Sequence, residues 1–140
     1  MNTKVAVWVV RIAFSIVFAW NVMCAVQFIC WPSAYIGAYQ LQGGGAAAAI
    51  QGLGVAFLMW NATYPAFIWK PLRFKVLGVV ILVQQAIGLC GELFIASTLD
   101  ASLQVLSQSI ARFVGFDAVG LVIMAVAFHF LRKISSAASA

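Results

Sequence analysis

Residues 76–97 read V-L-G-V-V-I-L-V-Q-Q-A-I-G-L-C-G-E-L-F-I-A-S, and Glu92 is the only charged residue among them. A helix needs about 20 mostly apolar residues to cross a bilayer, and this run supplies them. Three further apolar runs, at about 5–29, 44–64 and 109–131, have the same character. The reading is an all-α integral membrane four-helix bundle, one domain over residues 1–134, followed by a small, mobile tail at 135–140. Only 8% of the 140 residues are charged and 65% are hydrophobic. A soluble domain carries about 25% charged residues, so too little polar surface is available to cover a soluble fold. The first run is too long for a secretory h-region, and Trp8, Arg11, Trp20 and Asn21 interrupt it.

The connections follow from turn chemistry and charge. Pro32 closes the first helix, because proline disfavours helical geometry at the residue before it. Tyr35 and Tyr39 in the next segment suit a membrane–water boundary. Residues 65–75 hold Lys70, Arg73 and Lys75 and read as a turn. Leu99, Leu103 and Leu106 are spaced for a short amphipathic helix on the surface. Lys4, Lys70, Arg73, Lys75, Arg132 and Lys133 fall at the two termini and the second loop, whereas the first and third loops hold only Asp100. Basic residues collect on the cytoplasmic side, so the expectation is a multi-pass protein with both termini in the cytoplasm. The net charge of +5 is therefore topological. No basic stripe interleaved with exposed aromatics points to nucleic acid.

The polar residues inside the runs are the candidate site. A rise of ~1.5 Å per residue puts Glu92 about 8 Å, Asp117 about 5 Å and Arg112 about 12 Å outside the midplane. They share one layer on consecutive helices. Unpaired charge at this depth is costly, so the expectation is a buried Glu92–Arg112–Asp117 cluster. It is either a clamp between the last two helices or, with two carboxyls to one guanidinium, a site that keeps a proton or binds a cation. Gln84 and Gln85 extend this as a possible ligand or proton path, and Asn21, Ser15 and Gln51 are candidates to face the same interior. Arg11 either snorkels to headgroups or anchors an anionic ligand. His129 belongs near the inner interface, and Asn61 is placed to satisfy backbone groups near Pro65.

Gly44, Ala48, Gly52 and Ala56 recur every fourth residue and form a smooth stripe. Small residues at this spacing allow close helix approach, either within the bundle or in a homo-oligomer. Cys24, Cys30 and Cys90 form no C-x-x-C pair, which favours free, buried thiols over a Cys30–Cys90 bridge. With one histidine and no metal-ligand pattern, no cofactor is identifiable.

Arg11 early in the first helix, Pro32 in the first loop, the glycine-rich residues 43–54 and the step Asp117-Ala118-Val119-Gly120 together resemble the DoxX-like small four-helix membrane proteins of bacteria. The resemblance implies a four-helix bundle in the bacterial inner membrane, associated in some members with redox or quinone-linked partners. Three functions are compatible with these residues. The first is an accessory or scaffold subunit of a membrane complex, without chemistry of its own. The second is an oligomeric proton-coupled transporter of ions or small molecules using Glu92 and Asp117. The third is a redox or quinone-linked protein. The expected partners are the lipid bilayer and either further copies of the chain or other membrane subunits.

Overall fold

The structure, a computed structural model, describes residues 2–137. Its helices are α1 (Thr3–Cys30), α2 (Ala46–Asn61), α3 (Tyr64–Trp69), α4 (Lys75–Thr98) and α5 (Gln104–Ala137), with one 3₁₀ turn at Pro32–Ala34. No strand occurs among the described residues. Four helical stretches are long and apolar enough to cross a membrane: α1, α2 with α3 (Ala46–Trp69), α4, and α5. Helix α1 packs on α2 and α5, α5 packs on α4, and α3 bridges α1 and α4.

Several expected boundaries move. Pro65 does not open a turn. It occupies the first turn of α3, where its missing N–H would have no intrahelical acceptor in any case. The second span therefore continues to Trp69 after a short break at Ala62 and Thr63. There is no separate surface helix around Leu99–Leu106. Residues from Gln104 onward already belong to α5, and Asp100 folds back to accept the Ser102 N–H at 2.8 Å. That bond holds the exposed Asp100 carboxyl below its ordinary pKa. Ser135 and Ser136, expected in a mobile tail, continue α5, and the rest of that expectation, at 138–140, lies outside the described residues.

The main buried cluster fills the half of the bundle that carries the termini, and Ala25, Phe28, Ala46 and Ile50 are buried separately on α1 and α2. Phe14, Tyr64, Phe67, Met124, Phe128 and Leu131 belong to the main cluster. Phe67 meets Phe14 edge-on at 4.6 Å and Phe128 at 5.8 Å, arrangements that suit the ring quadrupoles. Gly78 lets these rings approach α4, since a Cβ there would lie 2.7 Å from both Phe67 and Phe128.

Arg11 is engaged within the bundle. Its Nε donates to the Ile68 carbonyl at 3.1 Å and its Nη2 to the Trp69 carbonyl at 2.7 Å. These carbonyls end α3 and lack intrahelical donors, so a charged fork supplied by α1 completes the helix end.

Helix α2 uses a face other than the expected one. Ala46, Ile50, Gly54 and Asn61 are buried. A Cβ at Gly54 would sit 2.8 Å from the Ala25 carbonyl oxygen, so the α1 and α2 backbones touch there. Of the two uses expected for the small-residue stripe, packing within the bundle is not seen: Ala48, Gly52 and Ala56 point outward, and Gly44 lies in the turn before α2. Nothing lies within 4 Å of a Cβ built at Gly44 or Gly52. The outer surface is otherwise strongly apolar, with Val76 74% and Phe94 70% exposed. Exposed apolar area on this scale is the mark of a membrane or partner surface.

The first loop is tied to α5. The Gln40 side chain accepts the Leu106 N–H at 2.9 Å, and the Ser109 hydroxyl donates to the Ala38 carbonyl at 2.9 Å. Gln40 adopts φ 49°, a left-handed conformation that costs a non-glycine residue ~1–2 kcal/mol and that the bond to α5 helps to hold.

Candidate functional site

Beyond the aromatic core, toward the end of the bundle away from the termini, the interior turns polar. Asn21 and Cys24 from α1, Trp60 and Asn61 from α2, Gln85 and Glu92 from α4, and Asp117 from α5 surround a space of about 20 Å³. Three polar atoms are buried here without a hydrogen-bond partner: Trp60 Nε1, Gln85 Nε2 and Glu92 Oε2. Each orphan of this kind costs roughly 1–3 kcal/mol, and such groups are rare enough in native structures to require an explanation.

Local sequence explains how these side chains converge. Gly88 lies one turn before Glu92, and a Cβ there would meet the Trp60 ring, so glycine admits the indole to the chamber wall. Gly120 lies about one turn after Asp117, and a Cβ there would stand 3.2 Å from Val17. The Asp117-x-x-Gly120 step thus combines a carboxyl with a close approach of α5 to α1. Asn61 donates to the Phe57 carbonyl at 2.8 Å and receives the Asn21 amide at 3.5 Å. It serves α2 and the chamber rather than the backbone near Pro65. Gln85 is 2% exposed, and its amide nitrogen approaches Asp117 without a well-formed hydrogen bond. Asp117 and Glu92 both line the chamber, from α5 and α4.

Arg112 does not join them. It is exposed, and among the described residues no ion pair forms and Glu92, Arg112 and Asp117 build no buried charged cluster. Residues 112 and 117 are five apart, which on an α-helix turns their side chains about 140° away from each other. Equal depth put them in one layer; azimuth separates them. Gln84 is also outside the chamber and accepts from the Thr63 hydroxyl at 3.5 Å, beside the break between α2 and α3. Gln51 donates to the Ile29 carbonyl and Ser15 lies in a shallow outer groove with Arg11, so neither reaches the interior. Of the expected interior residues, Glu92, Asp117, Gln85 and Asn21 come together. Trp60, Asn61 and Cys24 were not anticipated there. The signal for Asn61 was its position on the Ala46–Ile50–Gly54 face of α2.

Arg112 instead borders a second, larger chamber of about 240 Å³ between α1, the first loop and α5. Its walls include Trp20, Phe28, Tyr35, Tyr39, Phe113 and Phe116. Trp20 stacks on Phe116 at 5.1 Å, and the Tyr35 hydroxyl donates to Gln27 at 2.6 Å. Burial raises the pKa of the Tyr39 hydroxyl above its ordinary value, so that wall stays neutral. The two chambers share Trp20, Cys24, Phe113 and Phe116 as a common wall.

The cysteines are free, as expected, although Cys30 and Cys90 are exposed rather than buried. His129 is exposed near the far end of α5. No family model, curated protein or solved structure matches the chain.

Proposed function

We infer that the chain is a small multi-pass membrane protein with cytoplasmic termini, and that the Glu92–Asp117 chamber exchanges a proton or a cationic group as part of small-molecule binding and transport. The observation carrying this reading is the chamber's unmet polar demand. Two carboxyls share it with no cationic side chain, and Trp60 Nε1, Gln85 Nε2 and Glu92 Oε2 lack partners. A clamp between helices would have used Arg112 to neutralise a carboxylate, and Arg112 is exposed instead. Ionisable groups kept inside an apolar membrane bundle commonly mark proton and substrate pathways.

Membrane placement is supported by four apolar helices and by the separation of basic from acidic loops. The DoxX-like relationship and a bacterial inner membrane belong to the same proposal. Arg11 completing α3 and Gly120 at the α1–α5 approach give two of the resembling residues a structural use. The accessory-subunit reading keeps one observation of its own, the bare stripe of Ala48, Gly52 and Ala56, which offers a close-packing face to a second helix.

The test is labelling with dicyclohexylcarbodiimide, an apolar reagent that attacks protonated carboxyls within membranes. On lipid-reconstituted protein, peptide mass spectrometry should find the adduct on Glu92 or Asp117 and not on Asp100. Labelling of neither chamber carboxyl would contradict the reading.

A further inference from the structure

We propose that the two adjoining chambers form one binding site for a primary amine carried on an apolar body, with the ammonium between Glu92 and Asp117 and the body among the aromatic rings of the larger chamber. This rests on the preceding reading of the chamber and adds the class of ligand.

Size divides the site. The inner space of about 20 Å³ admits a single water-sized group. The outer space of about 240 Å³ accommodates a ring or a short alkyl chain. Trp20, Cys24, Phe113 and Phe116 line both, so a ligand that spans the two spaces passes between these side chains, of which Trp20 is half exposed.

Charge selects the small group. Two carboxyls without a cationic neighbour attract one positive charge, and Glu92 Oε2 is buried without a donor. An ammonium brings three donors and no acceptor, which matches a carboxylate pair. Once ionised, each carboxylate has about four acceptor positions, enough to take the ligand's donors together with the orphaned Gln85 Nε2 and Trp60 Nε1. Gln85, only 2% exposed, would then complete the hydrogen bond to Asp117 that is now ill-formed. A metal ion suits the chamber less well, because no group of three His, Cys, Asp or Glu residues close enough to hold one occurs among the described residues. Aromatic lining also favours the ammonium, since Trp20, Trp60 and Phe116 border the inner space and cations are attracted to aromatic rings. Arg112, on the exposed side of the outer chamber, disfavours a second positive charge on the body.

The experiment measures binding of 4-phenylbutylamine to the full chain in lipid nanodiscs, using tryptophan fluorescence, since Trp20 and Trp60 line the site. Two analogues accompany it: 4-phenylbutanol, which has no charge, and the N,N,N-trimethyl derivative, whose head exceeds the inner space. Saturable binding of the amine is expected, with each analogue weaker by about tenfold or more, the loss of at least one charge-assisted hydrogen bond. Glu92→Gln and Asp117→Asn should each weaken the amine by a similar factor. Phe116→Ala should weaken it as well. Equal binding of amine and alcohol, or no saturable binding, overturns the proposal, and this comparison on the wild-type protein stands even if a variant fails to fold. Absent amine binding with carbodiimide labelling retained would remove the ligand class and leave the proton-exchanging chamber; loss of both would remove the two together.

Discussion

Arg11 Nη2 lies 2.7 Å from the carbonyl oxygen of Trp69, 58 residues further along the chain. With Nε on Ile68, one guanidinium satisfies two carbonyls at the end of α3 and ties the start of the first span to the end of the second. A lysine in its place has no planar fork with which to serve both. Arg11→Leu should cost roughly 1–3 kcal/mol by leaving those carbonyls without donors, and Arg11→Lys should recover only part of it. Thermal unfolding in detergent measures this. Wild-type stability in both variants would mean that the bonds contribute nothing.

Two glycines on α2 make opposite predictions. Gly54 sits where the α1 and α2 backbones touch, and Gly52 faces outward with open space around it. Gly54→Leu should therefore disrupt the bundle, whereas Gly52→Leu should leave the monomer's melting temperature nearly unchanged. Any effect of Gly52→Leu should appear in the oligomeric state, read by crosslinking in the membrane. A large loss of monomer stability from Gly52→Leu would put the wrong face of α2 inside.

The exposed position of Arg112 reverses an expectation from sequence. Had it paired with two buried carboxylates, its removal would be severely destabilising. With no ion pair to lose, Arg112→Ala should change stability by no more than about 0.5 kcal/mol. A loss of several kcal/mol on chemical denaturation would restore the clamp.

Orientation has its own test. Cysteines introduced singly at Ser136 and Asp100, in a chain whose native cysteines are replaced, should react with a membrane-impermeant maleimide from opposite sides. The Asp100 position should label in intact cells, and the Ser136 position only after permeabilisation. Labelling of both from one side would contradict a four-span topology.

The four long apolar helical stretches were legible because length and apolarity, the two properties a bilayer crossing requires, are properties of composition. Direction within the bundle was less legible. The stripe of Gly44, Ala48, Gly52 and Ala56 and the face of Ala46, Ile50, Gly54 and Asn61 have similar periodicity, and in an apolar medium hydrophobicity does not tell inside from outside. The polar residue Asn61 marked the inward face. Depth alone placed Arg112 with Asp117, although their angular separation along one helix could have been worked out beforehand. Pro65 was read as a helix terminator when it was a helix start, since the same ring geometry serves both. Trp60 entered the chamber through Gly88, a contact between two helices that no local pattern records.

The most direct measurement of the central claim is infrared difference spectroscopy on lipid-reconstituted protein as pH is changed. Carboxylic acids and carboxylates absorb separately, so the spectrum counts carboxyls that exchange protons. Wild type should show a carboxylic-acid band from an apolar site that responds to pH, shifts when 4-phenylbutylamine is added, and disappears in the Glu92→Gln, Asp117→Asn double variant. Identical spectra from wild type and double variant would mean that the chamber holds no exchangeable proton, and the account of its function would fail.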